Sequence, residues 1–192
     1  RFASVSVGYS RAPFDETAFL IDTGYVVDGV DLSFDVAPRP GLSISGGGGA
    51  AWFSDSVENR RLSAVLAVMA AVGRGVEAGV FGRMMGYRVR NPGAGYFAPD
   101  RFSVLEARGV YTWRRERWGV RADGGVGVQE VGKGAPTQSE WHAGLAVTRA
   151  WGANSELALV GSFTNSAGNR AGTAIAAGFE YWTVGLKLRQ GL

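Results

Sequence analysis

The sequence offers one histidine imidazole and no cysteine thiol as candidate catalytic groups. His142 is the single histidine, and the sequence contains no cysteine. This composition excludes a thiolate metal site, a disulfide scaffold and a catalytic cysteine. Glu140 lies two residues from His142, so both side chains share one face of an extended strand and could act as a carboxylate–base pair. Because no G-x-S-x-G motif supplies a nucleophile, we expect a non-enzyme. Because the chain has no cysteine and one histidine, we also expect no bound metal, and we predict no cofactor.

Other charged residues recur at every second position of apolar stretches. Glu106 with Arg108, and Arg121 with Asp123, each share a face on neighbouring predicted strands. Such residues either line a polar lumen and influence what passes, or pair across strands and hold the wall together. The full set of predicted lumen-lining residues is Asp31, Asp35, Glu77, Arg83, Glu106, Arg108, Arg121, Asp123, Glu140 and His142.

Two aromatic residues stand in the longest predicted loop, which runs from Arg88 to Pro99. If the rings of Tyr96 and Phe97 are exposed, they can stack on the apolar faces of sugars, which makes them candidate glycan contacts. The alternative is that these rings fasten the loop to the rim of the sheet.

The elements that must position these residues are strands, because apolar and polar residues alternate almost throughout. We count about eleven strands of roughly 9 to 14 residues each. Short and long connectors alternate along the chain. Asp28-Gly29 predicts an additional tight turn, and the segment 17–27 could be a helix. A change of phase within 170–189 predicts a bulge near Glu180 and Tyr181.

The composition favours a barrel in a membrane over a soluble β-protein. The longest apolar run, Leu62 to Gly73, is too short for a membrane helix, whereas strands of this length cross a bilayer when tilted. Lys133 and Lys187 are the only lysines, which is few for a water-facing sheet. We therefore predict an all-β, antiparallel, up-and-down transmembrane β-barrel; a soluble β-sandwich or barrel stays open. The residues predicted to face lipid are Leu105, Ala107, Tyr111, Val120, Val126, Leu145, Leu157 and Leu159.

Length and charge bound the remaining possibilities. The chain has 192 residues and a net charge of +3. From its length we predict that residues 1–192 form a single barrel domain. The arginines are scattered along the chain, so we expect no nucleic-acid partner. No signal peptide precedes the first predicted strand, and we expect this domain to be the C-terminal part of a longer chain.

Short motifs resemble one family of barrels. The segment Gly95-Tyr96-Phe97-Ala98-Pro99-Asp100-Arg101-Phe102 is similar to the G-Y-[FY]-S-P-x-x-[FY] segment of outer-membrane domains that follow tetratricopeptide repeats in bacterial exopolysaccharide secretion. The best match is to the outer-membrane subunits of cellulose synthases. Gly8 to Pro13 and Phe53 to Arg61 also resemble this group. Ala98 stands where the family more often has serine, and Leu192 where such barrels commonly end in an aromatic residue.

The resemblance implies export of a cellulose-like exopolysaccharide through a polar lumen in the cell outer membrane. It implies a barrel of roughly sixteen strands, of which this chain would supply a part. The implied partners are the polysaccharide, outer-membrane lipid, a periplasmic repeat domain and an inner-membrane synthase. Two other functions stay open: a closed structural or anchoring outer-membrane barrel without transport, and a soluble β-barrel that binds a ligand.

Overall fold

The computed structural model describes residues 2–14, 21–22, 24–90, 96–151, 154–166 and 180–190. Within these residues it contains ten strands and no helix longer than the pair 21–22. The strands are β1 (Phe2–Pro13), β2 (Val26–Arg39), β3 (Leu42–Phe53), β4 (Arg60–Gly73), β5 (Val76–Tyr87), β6 (Phe102–Arg115), β7 (Trp118–Val131), β8 (Gln138–Ala150), β9 (Glu156–Thr164) and β10 (Tyr181–Arg189).

The strands form one antiparallel sheet in which each strand pairs with the next strand along the chain. The order across the sheet is therefore β1 to β10 without a crossover. This confirms the all-β, up-and-down prediction. Among the described residues, β1 and β10 are the two edges of the sheet and do not pair with each other. The predicted strand segment 170–179 lies outside the described residues.

The register divides the side chains cleanly between two faces. Residues directly opposite each other on paired antiparallel strands point to the same side. One row runs Val5, Phe34, Gly46, Leu66, Gly82, Leu105 and Val128. The adjacent row runs Ser4, Asp35, Ser45, Ala67, Phe81, Glu106, Gly127 and Glu140. We call the side that contains Leu66 the apolar face and the side that contains Glu106 the polar face.

Burial is inverted relative to a water-soluble sheet. On the apolar face, large side chains such as Leu105, Val126 and Leu145 are exposed by 57%, 67% and 51%. The buried strand residues lie instead on the polar face, among them Phe102, Glu106 and Glu140. A sheet that curls with its polar face inward produces this distribution. All eight residues predicted to face lipid lie on the apolar face.

The connectors differ in length between the two ends of the sheet. At one end, two-residue turns at 40–41, 74–75 and 116–117 join successive strands. At the other end, the connectors 54–59, 88–101 and 132–137 are longer. We call these the turn end and the loop end. This alternation agrees with the connectors predicted from the sequence.

The tight turn predicted at Asp28-Gly29 is wrong. Both residues lie inside β2, where Asp28 pairs with Arg11 and Trp52, and Gly29 pairs with Ser10 and Ala51. The dipeptide is a frequent turn former, but strands on both sides hold it extended in the ladder. Residues 17–20 and 23 of the possible helix at 17–27 lie outside the described residues, and its last two residues begin β2. In the part of the chain that the structure describes, no helix has the length and apolar character needed to cross a membrane.

Candidate functional site

The polar face of β5 to β9 surrounds a cavity of about 210 Å³ that is lined by several carboxylates, two guanidiniums and the one imidazole. Six of the predicted lumen-lining residues contribute to its wall. They are Arg83, Glu106, Arg108, Asp123, Glu140 and His142. The lining also includes Phe81, Ser162, Thr164 and Ser166. The register therefore collects residues from four strands at one place, although they are widely separated in the sequence.

Glu106 lies at the centre of this group, and its side chain is only 1% exposed. One carboxylate oxygen, Oε1, accepts a hydrogen bond from Nε of Arg108 on the same strand. The other oxygen, Oε2, lies 3.1 Å from Nδ1 of His142 on β8. A buried carboxylate is costly unless it is paired and hydrogen-bonded. Arg108 and His142 together provide that compensation.

Two glycines allow Glu106 and His142 to meet across the strand that separates them. Gly125 and Gly127 of β7 stand between β6 and β8 on the polar face. A Cβ atom on Gly125 would lie 2.5 Å from Cε1 of His142 and 2.9 Å from Oε2 of Glu106. On Gly127 it would lie 2.6 Å from Cα of Glu106. Because such distances are far inside van der Waals contact, both positions need glycine for the contact to form.

Arg108 and His142 each have a second neighbour besides Glu106. The guanidinium carbon of Arg108 lies 3.4 Å from the centroid of the Phe81 ring, a close cation–π contact. Nε2 of His142 lies 3.8 Å from Oδ2 of Asp123. The imidazole is therefore flanked by one carboxylate at each ring nitrogen.

Glu140 is buried in the same group but is incompletely paired. It is 4% exposed, and its Oε2 atom has no hydrogen-bond partner among the described residues. Glu140 and Glu106 both lie opposite Gly127, on either side of it. One donor atom each from Glu106, Glu140 and His142 lie within 4.8 Å of one another. Two carboxylates and an imidazole at this separation can transfer protons or bind a cation.

The remaining predicted lumen-lining residues lie on the polar face but away from the cavity. Asp31 pairs with Gly8 and Gly49, and Asp35 pairs with Ser4 and Ser45. Glu77 pairs with Ala71 and Val110. Arg121 pairs with Thr112 and Ala146, nearer the turn end. All ten residues thus share one face, and their contact with a lumen stays a prediction.

At the loop end, the polar face is covered by an aromatic cluster. It comprises Phe14, Phe53, Tyr87, Tyr96, Phe97 and Phe102, with smaller apolar neighbours. The rings of Phe53 and Tyr96 are stacked, with centroids 5.4 Å apart, and Phe14 meets Tyr96 edge-on at 5.0 Å. Residues 96–99 of the 88–101 connector therefore fold back onto the sheet instead of extending from it.

A buried polar network anchors this connector. The hydroxyl of Tyr96 donates to Oδ2 of Asp55 at 2.7 Å and accepts from Nδ2 of Asn59 at 2.9 Å. Asn59 is fully buried, and its Oδ1 accepts from the backbone N–H of Val89 at 2.9 Å. Burial and the hydrogen bond to Asp55 raise the pKa of the Tyr96 hydroxyl above its usual 10.0. The connector is thus held by three side chains from two loops.

The burial of Tyr96 and Phe97 does not support the prediction that they contact glycan. They are 2% and 8% exposed, so neither ring offers a free face to a sugar. Their positions agree with the alternative, in which they fasten the loop to the rim. The physical reason is that Tyr96 gains more from packing against Phe53 and Phe14, and Phe97 from packing against Phe102, than either ring gains from exposure to water.

Sequence reasoning missed the residues that make the cavity possible. The roles of Gly125 and Gly127 depend on register, which alternation alone does not give. Alternation with Val80 puts Phe81 on the polar side, but it does not indicate the contact of Phe81 with Arg108. Asp55 and Asn59 fall within the family-like segment Phe53 to Arg61, but no pattern in that segment indicates that they form a buried network with Tyr96.

Comparisons of the chain with known proteins identified no relative. Searches against protein-family models, curated proteins and solved structures each found no match.

Proposed function

We propose that this chain forms part of the wall of an outer-membrane β-barrel porin through which an exopolysaccharide leaves the cell. The observation that carries the proposal is the inverted sheet. Its exposed face is built mainly from Leu, Val, Ala and aromatic side chains, while the charged residues away from the strand ends, such as Glu106, Arg121 and Glu140, lie on the opposite face. Water disfavours exposing such a continuous apolar surface, whereas lipid accommodates it.

The connectors support the same assignment. Two-residue turns at one end and longer loops at the other are typical of outer-membrane barrels, in which the short turns face the periplasm. Trp113 and Trp118 flank the turn at 116–117, and Trp52 lies near the loop end of β3. Tryptophan at both ends of the strands suits the two interfaces of a bilayer.

A polysaccharide is the proposed cargo because the inward face is polar without being dominated by one charge. Serine, glycine, aspartate, glutamate and arginine alternate on it, so a neutral glycan would meet many weak hydrogen-bonding groups. Weak and repeated contacts are what conduction requires. The resemblance of the segment 95–102 to secretion barrels supports this choice of cargo.

A second candidate is a closed structural barrel without transport. The observation that favours it is the filling of the polar face, with the aromatic cluster at the loop end and buried charges around Glu106. Conductance in planar bilayers separates the two candidates, because a filled barrel gives no steady open channel. The full gene offers another check, since a secretion porin of this type is expected to carry tetratricopeptide repeats upstream.

Thiol labelling tests the membrane assignment directly, because the chain has no native cysteine. Single cysteines at Arg121 and Asp123 report on the polar face, and single cysteines at Ala107 and Leu145 report on the apolar face. In lipid vesicles, a water-soluble maleimide is expected to modify the first pair and to spare the second. The opposite labelling pattern, or recovery of the protein in the aqueous fraction without detergent, would refute the proposal.

A further inference from the structure

The polar cavity contains three donor atoms of the kinds that bind a transition metal. They come from Glu106 on β6 and from Glu140 and His142 on β8, and they lie within 4.8 Å of one another. In a tetrahedral site with bonds of about 2.1 Å, ligand atoms are separated by about 3.4 Å. Small side-chain rotations would therefore bring these three atoms to metal-binding distance without movement of the strands.

A second observation points independently to a missing partner. Oε2 of Glu140 is buried, and no described residue donates a hydrogen bond to it. Leaving a carboxylate oxygen unpaired in a buried position is costly. Arg108 does not supply this partner: its Nε donates to Oε1 of Glu106, its guanidinium lies over Phe81, and it makes no hydrogen bond to Oε2 of Glu140. A cation between Glu106 and Glu140 would satisfy the free oxygen.

The surroundings of His142 match those of a metal-bound imidazole. Nδ1 is the ring nitrogen that faces Glu106, and Nε2 faces Asp123 at 3.8 Å. Metal-binding histidines commonly direct their other ring nitrogen towards a carboxylate, which fixes the tautomer and the ring orientation. Asp123 occupies that position without being one of the three ligands.

The charges in the cavity also favour a cation. Three carboxylates, those of Glu106, Asp123 and Glu140, line it together with the guanidiniums of Arg83 and Arg108. With a neutral imidazole, the negative groups outnumber the positive ones. The competing arrangement is a proton shared between Glu106 and Glu140, which would lower the negative charge without any metal.

We propose that Glu106, Glu140 and His142 form a binding site for a divalent transition-metal ion of the zinc class, with Asp123 orienting the imidazole. One nitrogen and two carboxylate oxygens suit Zn²⁺ or a similar ion, whereas Mg²⁺ and Ca²⁺ prefer oxygen ligands alone. A fourth position would remain for water, facing the cavity. The site links β6 to β8 across the glycines of β7. Its geometry depends on the sheet alone, so the metal site would exist whether or not the protein exports a polysaccharide.

The single histidine makes a direct test possible on the unaltered protein. Untagged protein with ¹⁵N-labelled histidine, folded in detergent micelles and washed with chelator, gives one imidazole spin system. Addition of one equivalent of Zn²⁺ is expected to shift the Nδ1 resonance strongly and to leave Nε2 protonated. If excess Zn²⁺ leaves both resonances unchanged, the two carboxylates share a proton and the proposal is wrong.

Variants then show whether the three ligands act together. Competition with a chromophoric chelator is expected to give one Zn²⁺ per chain, bound at least ten times more weakly by Glu140→Gln and by His142→Gln. Asp35→Asn, which removes a carboxylate from the same face away from the cavity, is the matched control and is expected to bind like the wild type. Equal affinity in all four proteins would indicate adventitious binding and overturn the proposal. Loss of conductance would bear on the export function alone.

Discussion

An arginine placed on either face of β9 distinguishes a lipid-facing surface from a water-facing one. Leu159 and Val160 are consecutive residues near the middle of this nine-residue strand, on the apolar and polar faces respectively. Leu159 is 52% exposed. Val160 lies between two small residues, Ala146 and Gly185. The variants Leu159→Arg and Val160→Arg therefore introduce the same side chain at the same depth in opposite directions.

The expected magnitudes differ widely between the two environments. An arginine on the lipid face near the bilayer midplane costs about 2–4 kcal/mol of folding free energy. That cost lowers the folding equilibrium constant roughly 30- to 700-fold. In water, an exposed Leu159→Arg change would alter stability by only about 0.5 kcal/mol. Val160→Arg is expected to stay near that small value because its guanidinium can remain hydrated on the polar side.

Equilibrium unfolding in phospholipid vesicles measures both variants against the wild type. Guanidinium titration can be followed through the fluorescence of the six tryptophans, and heat-modifiable migration on gels reports the folded fraction. We expect a large loss for Leu159→Arg and a small one for Val160→Arg. If Leu159→Arg unfolds with the wild-type free energy, or if Val160→Arg loses as much, the assignment of the apolar face to lipid is refuted.

Three further predictions concern the cavity and the loop end. Gly125→Ala is expected to lose about 1–3 kcal/mol of stability, because its Cβ would collide with His142. Gly109→Ala is the control, since its Cβ would have no neighbour nearer than 4.0 Å. Similar thermal unfolding of the two variants would contradict the argument from crowding. Asn59→Ala is expected to cost about 1–3 kcal/mol for each buried group left unpaired and to speed proteolysis within 88–101; unchanged cleavage would show that Asn59 does not anchor this connector. Because the pKa of Tyr96 is raised on folding, its contribution to stability is complete below pH 10 and declines as the pH rises further. Tyr96→Phe is expected to remove that alkaline decline, which paired unfolding curves on both sides of pH 10 would measure.

Alternation of residue types predicted where most of the described strands lie and which side chains share a face. Leu105 and Glu106 are neighbours with opposite character, and the structure places them on opposite faces as predicted. A period of two is a strong signal wherever each strand has one apolar side. The same signal does not fix register, so it could not show that Glu106 and His142, separated by 36 positions, come together across β7.

Local turn and loop signals were less dependable than periodicity. Asp28-Gly29 has the composition of a tight turn, yet pairing with β1 and β3 holds it extended. Tyr96 and Phe97 stand in a loop, and loops are usually exposed. The burial of Tyr96 depends on Phe14 and Phe53, which are distant in sequence. Tertiary contacts decided both cases, and no local window of sequence contains them.

The up-and-down order of the strands has a consequence for how the sheet folds. Each pairing joins a strand to its successor, so every loop that closes connects adjacent strands and each closure costs little entropy. A hairpin that forms anywhere can grow in both directions, much as repeat proteins propagate from a nucleus. The central strands β5 to β7 then have neighbours on both sides, whereas β1 and β10 each have one among the described residues. Amide exchange should therefore be slowest at the centre and fastest at the two edges, with opening that proceeds inward one strand at a time.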